Sequence, residues 1–558
     1  MGIRLAAAAG VLSAAIVFAQ PSDRVTIRVD AQARHAPMTQ MWAFFGYDEP
    51  NYTYTPNGKK LLTELASLSP VPVFVRAHNL LTTGDGSASM KWGSTNAYTE
   101  DAAGRPVYDW TIVDRILDTY VERKMKPLVE IGFMPEALST TPQPYRHDWR
   151  AGGGNRLFTG WSYPPKDYDK WRELIRQWAL HSVKRYGQRE VESWYWEVWN
   201  EPDIGYWQGT PEEYQKLYDY AADGLKRALP TARIGGPHVT GPNGARTQGI
   251  LQAFLEHCVR GTNYATGKTG LPLDYVGFHA KGAPRFVDGH VRMGISNQLR
   301  AIANGFRIVA SFPELRDTPI IIGESDPEGC AACGLSTNPE NAYRNGTVYS
   351  SYTAAQLART YELADLHKIN LRGSVSWAFE FEDQPYFAGF RDLATNGIDK
   401  PVLNVFRMLG RMLGDRVTVE SSGALPLDLV RDTGVRDRPD VNALASRSER
   451  TVSVLVWNYH DDDVPAPAAG VDLVVEGVGG RSVDVTHERV DATHSNAYEA
   501  WKRMGSPQPP SPAQVKALER AGGLQPLEPA RRIRVEDGRV RLAFTLPRQG
   551  VSLVRLSW

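Results

Sequence analysis

Between residues 41 and 410, short apolar runs alternate with longer stretches whose apolar positions recur every three or four residues, the rhythm of repeated βα units. The runs predict strands at WAFFG (42–46), VFVRAH (73–78), KPLVEIGF (126–133), SWYWEVWN (193–200), RIGGP (233–237), DYVGFHA (274–280), PIIIGES (319–325) and RGSVSWAFE (372–380). Among the intervening helices, WRELIRQWALHSV sets Trp171, Leu174, Ile175, Trp178 and Val183 on one face. Another opens with Thr210, Pro211 and Glu213, a capping box with proline at its first helical position. Eight strands separated by helices predict an α/β chain built on a (β/α)8 TIM barrel, which takes about 250 residues before insertions. The surplus here goes into long loops. From about residue 415 the texture changes to alternating strands such as TVSVLVWNY, VDLVVEGV and VRLAFTLPRQGVSLVRLSW, which predict a β-sandwich. A Pro-rich loop and short helix, MGSPQPPSPAQVKALERAGG, interrupt it. The expected division is a barrel over 20–410 and a β-sandwich over 411–558.

The start of the chain fits neither pattern. Arg4 precedes an apolar stretch over residues 5–19, with Val17 and Ala19 ahead of Gln20, which predicts a cleaved signal peptide over 1–19 and a secreted or periplasmic protein. The run is too short and Ala-rich for a membrane span, so membrane insertion is not expected. Lysine plus arginine equals aspartate plus glutamate at 63 each, and no bias toward nucleic acid results. Fifteen tryptophans and 24 tyrosines suit either stacking on sugar faces or ordinary core packing. Cys330 and Cys333 form a C-x-x-C, read in an exported chain as a local disulfide rather than a zinc site, which needs further ligands. Cys258 reads as a buried thiol. His78, His238 and His279 show no metal-binding spacing, and no cofactor is expected. Nothing in the sequence fixes the oligomeric state.

In such a barrel, polar residues at the C-terminal ends of strands line the active-site face, while mid-strand residues pack. That separates two glutamates of WYWEVWNEPDIGYW: Glu197 lies inside the fourth strand and reads as a structural partner, whereas Glu201 follows the strand directly. The seventh strand delivers Glu324 to the same rim. Paired carboxylates across one pocket are what glycoside hydrolysis needs, one giving a proton to the departing oxygen and the other attacking the anomeric centre. The aromatic surroundings of Glu201 disfavour its charged form and keep it an acid. Glu324, held by a cation such as Arg76 at the end of the second strand, stays ionised. Two glutamates in a structural salt-bridge network are the bland alternative, and a carbohydrate-binding protein that lost turnover is the alternative function.

These segments resemble glycoside hydrolase family 39, which holds β-xylosidases and α-L-iduronidases. WNEPD (199–203) is similar to the acid/base motif of the family's clan, and GESDP (323–327) resembles the iduronidase segment around its nucleophile. VRAHNLL (75–81), RIGGP (233–237), HCVRGTNYATG (257–267), DYVGFHAKGA (274–283) and DATHSNAYEAWKRMGSP (491–507) extend the resemblance over most of the chain. It implies a retaining exo-glycosidase acting on an oligosaccharide or polysaccharide, with Glu201 as acid/base, Glu324 as nucleophile and no metal. It also implies sugar contacts from Arg76, His78, Asn200 and Lys281, with Asn200 on the 2-hydroxyl. His78 and His279, taken alone, read more often as structural histidines; His279 is kept as a contact. Lys281 stands where the family's iduronidases use a lysine toward the uronate carboxylate, and a structural reading pairs it instead with Glu328. The stretch 377–401 looks more like the xylosidase end of the barrel, with Trp377 and Arg391 as further contacts. Arg391 interrupts its glycine-rich pattern and reads either as a second carboxylate contact or as a loop arginine paired with Asp392 or Asp383.

Overall fold

The computed structural model describes residues 24–149, 155–330, 332–336 and 338–558; the expected signal peptide lies outside them. Parallel strands Phe44–Tyr47, Phe74–Ala77, Lys126–Ile131, Tyr195–Val198, Arg233–Val239, Tyr275–Lys281 and Ile320–Asp326 stand side by side in chain order. The eighth is split: Leu371–Ser374 pairs with the seventh strand and Ser376–Trp377 with the first, which closes the ring. Each strand overlaps one of the apolar runs, passing its end by no more than two residues. Phe44, Phe74, Leu128, Tyr195, Tyr275, Ile321, Val375 and Trp377 form an apolar plug inside it. Two residues further along their strands, and so on the same face, come Arg76, Glu130 and Glu197, all fully buried. The plug is the floor on which a charged layer rests.

The helix Tyr168–Tyr186 buries Trp171, Leu174, Ile175 and Trp178, and Thr210 and Glu213 close the capping box of the helix Pro211–Ala228. The helix Thr347–His367 differs in being buried on nearly every face, because the second domain covers the side that its counterparts turn to water. Arg359 on this helix meets Asp440 of that domain at 3.0 Å, and Ser351 donates to Gln549 at 2.6 Å.

The second domain is a nine-stranded sheet, antiparallel but for one pair. Ile27, Val29, Val417, Val454, Val456, Leu473, Val475, Val540 and Val554, from strands across its whole width, share one core, so the sheet closes on itself as a β-sandwich. The strand Val25–Pro37, which the sequence reading grouped with the barrel, lies within this sheet between Asp415–Ser421 and Ala469–Glu476. The sandwich therefore draws on both ends of the chain. The helices Ala497–Arg503 and Pro512–Gly522 leave it to pack on Phe387 and Ile398, in the loop beyond the eighth barrel strand. Among the described residues no helix is long and apolar enough to cross a membrane.

Candidate active site

A cavity of about 540 Å³ opens at the C-terminal ends of the barrel strands, lined by Asp48, His78, Lys91, Asn200, Glu201, Lys281 and Glu324 among others. Glu201 reaches it from a strained turn: Trp199 and Glu201 have left-handed backbones, with φ of 73° and 43°. Such residues cost of order 1–3 kcal/mol each unless their surroundings hold them. Here the Trp199 indole donates to Tyr206 O at 2.8 Å, the Tyr214 hydroxyl to Val198 O at 2.9 Å, and the Glu201 N–H to His238 O at 3.1 Å. Glu324 comes from the end of the seventh strand. One oxygen of each carboxylate and one nitrogen of His279 lie within 4.8 Å of one another. His279 Nδ1 is 2.8 Å from Glu201 Oε1 and 3.8 Å from Glu324 Oε1.

The layer below is organised by Arg76. Its Nε donates to Glu197 at 2.6 Å, one terminal nitrogen reaches Glu324 at 3.1 Å, and the other reaches Asn200 Oδ1 at 3.0 Å and Glu130 at 3.2 Å. Glu197 also holds His238 at 2.7 Å. A Cβ on Gly277 or Gly323 would come within 2.3 Å or 2.1 Å of the His238 ring, so only glycine leaves room for it. Burial, opposed by Arg76 and His238, leaves the Glu197 carboxyl held down at about 2.

The two rim glutamates diverge. Burial, then the charges of Glu324 and Asp203, push Glu201 up to about 8. Burial pushes Glu324 in the same direction, but Lys281 foremost, with His78 and Arg76, overcomes it and holds the carboxyl well below its usual range. At neutral pH one is an acid and its neighbour an anion. Burial drops His279 to about 3, whereas for His78 the burial is outweighed by Glu130, Asp48 and Glu324, which lift it to about 9.

Of the residues singled out in the sequence, Glu201, Glu324, His78, Asn200 and Lys281 line the cavity. Arg76 and Trp377 stand behind its wall: Arg76 lies 4.8 Å from the Trp377 ring centroid, and the His78 ring 4.4 Å from it. His279 supports Glu201 from below. Lys281 is not paired with Glu328, which Arg344 takes; its ammonium sits 2.5 Å from Glu324 and 2.9 Å from Asp326. Arg391 is fully buried against Asp326 rather than paired with Asp383 or Asp392, the latter being taken by Lys400. Asp326 thus gathers Lys281 and Arg391 and accepts the Trp377 N–H at 3.0 Å. Cys330 and Cys333 are joined in a disulfide at the cavity's edge, and Cys258 is a buried thiol. Sequence reasoning passed over Asp48 and Lys91. Asp48 carried the same strand-end signal as Glu201, whereas Lys91 lies in a loop with no local pattern.

Glu201, His279 and Glu324 are also the set among the described residues whose donor atoms are close enough to hold a cation. The Lys281 ammonium already fills that electrostatic role beside Glu324.

The profile of the family described as Glycosyl hydrolases family 39 matches residues 25–541. A beta-xylosidase of Caldicellulosiruptor saccharolyticus is 28% identical over 429 residues, covering 74% of this chain and 76% of that protein. An alpha-L-iduronidase of Mus musculus is 27% identical over 478 residues, covering 81% and 68%. The crystal structure of the GH39 enzyme from Xanthomonas axonopodis pv. citri superposes with a TM-score of 0.74 at 22% identity, covering 96% of this chain and 98% of that one. A barrel bearing two carboxyls on one rim, joined to a β-sandwich and matched by the family profile over nearly its whole length, makes this chain a glycoside hydrolase of family 39.

Proposed function

We propose that the protein is an exported, retaining exo-glycosidase that removes a terminal pyranose by double displacement, with Glu201 as acid/base and Glu324 as nucleophile. The observation that carries this reading is two carboxyls on one rim with an oxygen of each no more than 4.8 Å apart, in surroundings that favour the proton on Glu201 and the charge on Glu324. Retaining glycosidases hold their pair about 5–5.5 Å apart, whereas inverting ones leave about 6.5–9.5 Å for a water. In the first step Glu324 attacks the anomeric carbon while Glu201 protonates the departing oxygen. Glycosylation then removes the Glu324 charge, which stands second only to burial in keeping Glu201 protonated. The pKa of Glu201 falls as a result, and the same group becomes the base that activates water for the second step. Two kinds of terminal sugar, β-xylose and α-L-iduronic acid, are suggested by the relatives' names. The apolar start of the chain supports export, which N-terminal sequencing of the mature protein tests.

The mechanism is tested on nitrophenyl glycosides. Glu324→Ala should abolish turnover and regain it with azide, giving a glycosyl azide of inverted configuration. Glu201→Ala should lose about two to four orders of magnitude on poor leaving groups and much less on nitrophenolates, which need little protonation. A wild-type product of inverted configuration would defeat the reading.

A further inference from the structure

Asp48 follows the first barrel strand and Lys91 lies in the long loop after the second; both line the cavity, although only 3% and 4% exposed. Asp48 Oδ1 takes the Nδ1–H of His78 at 2.8 Å, and its other oxygen is paired with the Lys91 ammonium. The backbone of Lys91 is left-handed, with φ of 58°, and its N–H donates to Glu49 Oε1 at 2.7 Å. The pair is therefore fixed from both sides. A carboxylate oxygen has two lone pairs and an ammonium three N–H groups. Each Asp48 oxygen keeps an acceptor position after its contact, and Lys91, with Asp48 on one N–H and Tyr206 beside it, keeps at least one donor. His78 links this pair to the reacting centre, since its Nε2 lies 3.5 Å from Glu324 Oε1. Asp48 and Lys91 thus share one cavity with Glu324 and lie across His78 from it.

We propose that Asp48 and Lys91 form a sugar-binding dyad that grips two adjacent hydroxyls of the terminal unit, on the ring edge away from the anomeric carbon. The ammonium donates to one oxygen and the carboxylate accepts from the next. The dyad rests on the glycosidase reading above and deepens it, because hydroxyls held against a buried wall leave no room for a further sugar on that edge. Exo attack on an unsubstituted unit follows.

The test uses Lys91→Met and Asp48→Asn beside the wild type, on the best-cleaved nitrophenyl glycoside and on its 3-deoxy and 4-deoxy analogues. A charge-assisted hydrogen bond lost from the bound sugar corresponds to roughly a ten- to hundredfold fall in kcat/KM. Each variant should show that fall on the parent glycoside, the wild type should show it on a deoxy analogue, and the two losses should not add when combined. Fully additive losses on every substrate would mean that the substitutions act only through His78 and Glu324, and would overturn the dyad alone. A wild type that cleaves no glycoside would overturn the glycosidase reading and the dyad with it. Lys91→Gln serves if thermal unfolding shows that Lys91→Met does not fold.

Discussion

Glu201 and Glu324 share one cavity, and their neighbours, not their own chemistry, set them apart. Glu201 has burial and the charge of Glu324 to keep its proton, while Glu324 has Lys281, His78 and Arg76 to shed its own. The proton on Glu201 is needed for attack and leaves near pH 8, so kcat/KM should fall as pH rises through about 8. The opposite limb belongs to Glu324 and should lie well below the ordinary carboxylate range, so activity persists far into acid. A kcat/KM profile on a glycoside with a poor leaving group measures both, and an alkaline limb near pH 5 would contradict the assignment of Glu201. Lys281 sharpens the point, because its ammonium is already shared by Glu324 and Asp326. Lys281→Met should raise the pKa of Glu324 and carry the acid limb upward. The accompanying loss, roughly ten- to a hundredfold, should fall on a xyloside and an iduronide alike. A loss confined to the iduronide, with the acid limb unmoved, would show that the ammonium serves the substrate carboxylate instead.

At the scale of elements, the helix Thr347–His367 joins the two domains through a buried charge. Arg359 meets Asp440 at 3.0 Å and donates to Leu425 O at 2.8 Å, while Asp440 also accepts the Trp457 indole N–H at 3.1 Å. Removing one partner of such a pair leaves the other buried and uncompensated, so Asp440→Ala should cost about 3–5 kcal/mol, read as a lower urea midpoint. A change below about 1 kcal/mol, the worth of an exposed pair, would place Arg359 in water. The contrast between elements explains what the sequence discloses. Barrel strands are local apolar runs, and Glu201 follows one of them while Glu324 stands near the end of another, so strands and rim glutamates are legible residue by residue. Partners set by chain closure are not. Arg391 and Lys281 converge on Asp326 because the sixth and seventh strands and the loop beyond the eighth meet there, and no spacing in the chain encodes that meeting. Lys91 is hidden for the same reason, its neighbour Asp48 lying across a strand and a helix in the chain.

For the molecule as a whole, the barrel and the sandwich interlock rather than follow one another. The strand Val25–Pro37 alternates Val25, Ile27, Val29 and Ala31 toward the sandwich core, a period-two pattern visible in the sequence, but its partners lie at the other end of the chain. Within the sheet it stands between six strands on one side and the pair Ala469–Glu476 and Arg539–Leu546 on the other. Deleting it would cut the sheet in two and expose Val417, Leu473 and Val475, all now buried. It would also remove the fully buried Ile27 and Val29, worth about 1.5–3 kcal/mol each. The damage should not stop at the sandwich, because the helix Thr347–His367 relies on that domain for cover and stands between the barrel strand that bears Glu324 and the last strand. A chain starting at residue 38, which keeps every barrel strand, is therefore expected to lose both activity and cooperative unfolding. Comparison of residues 38–558 with 24–558 by calorimetry and by glycoside turnover measures this. An active, cooperatively melting 38–558 would show that the barrel holds its site without the sandwich, and that the strand only lengthens the sheet.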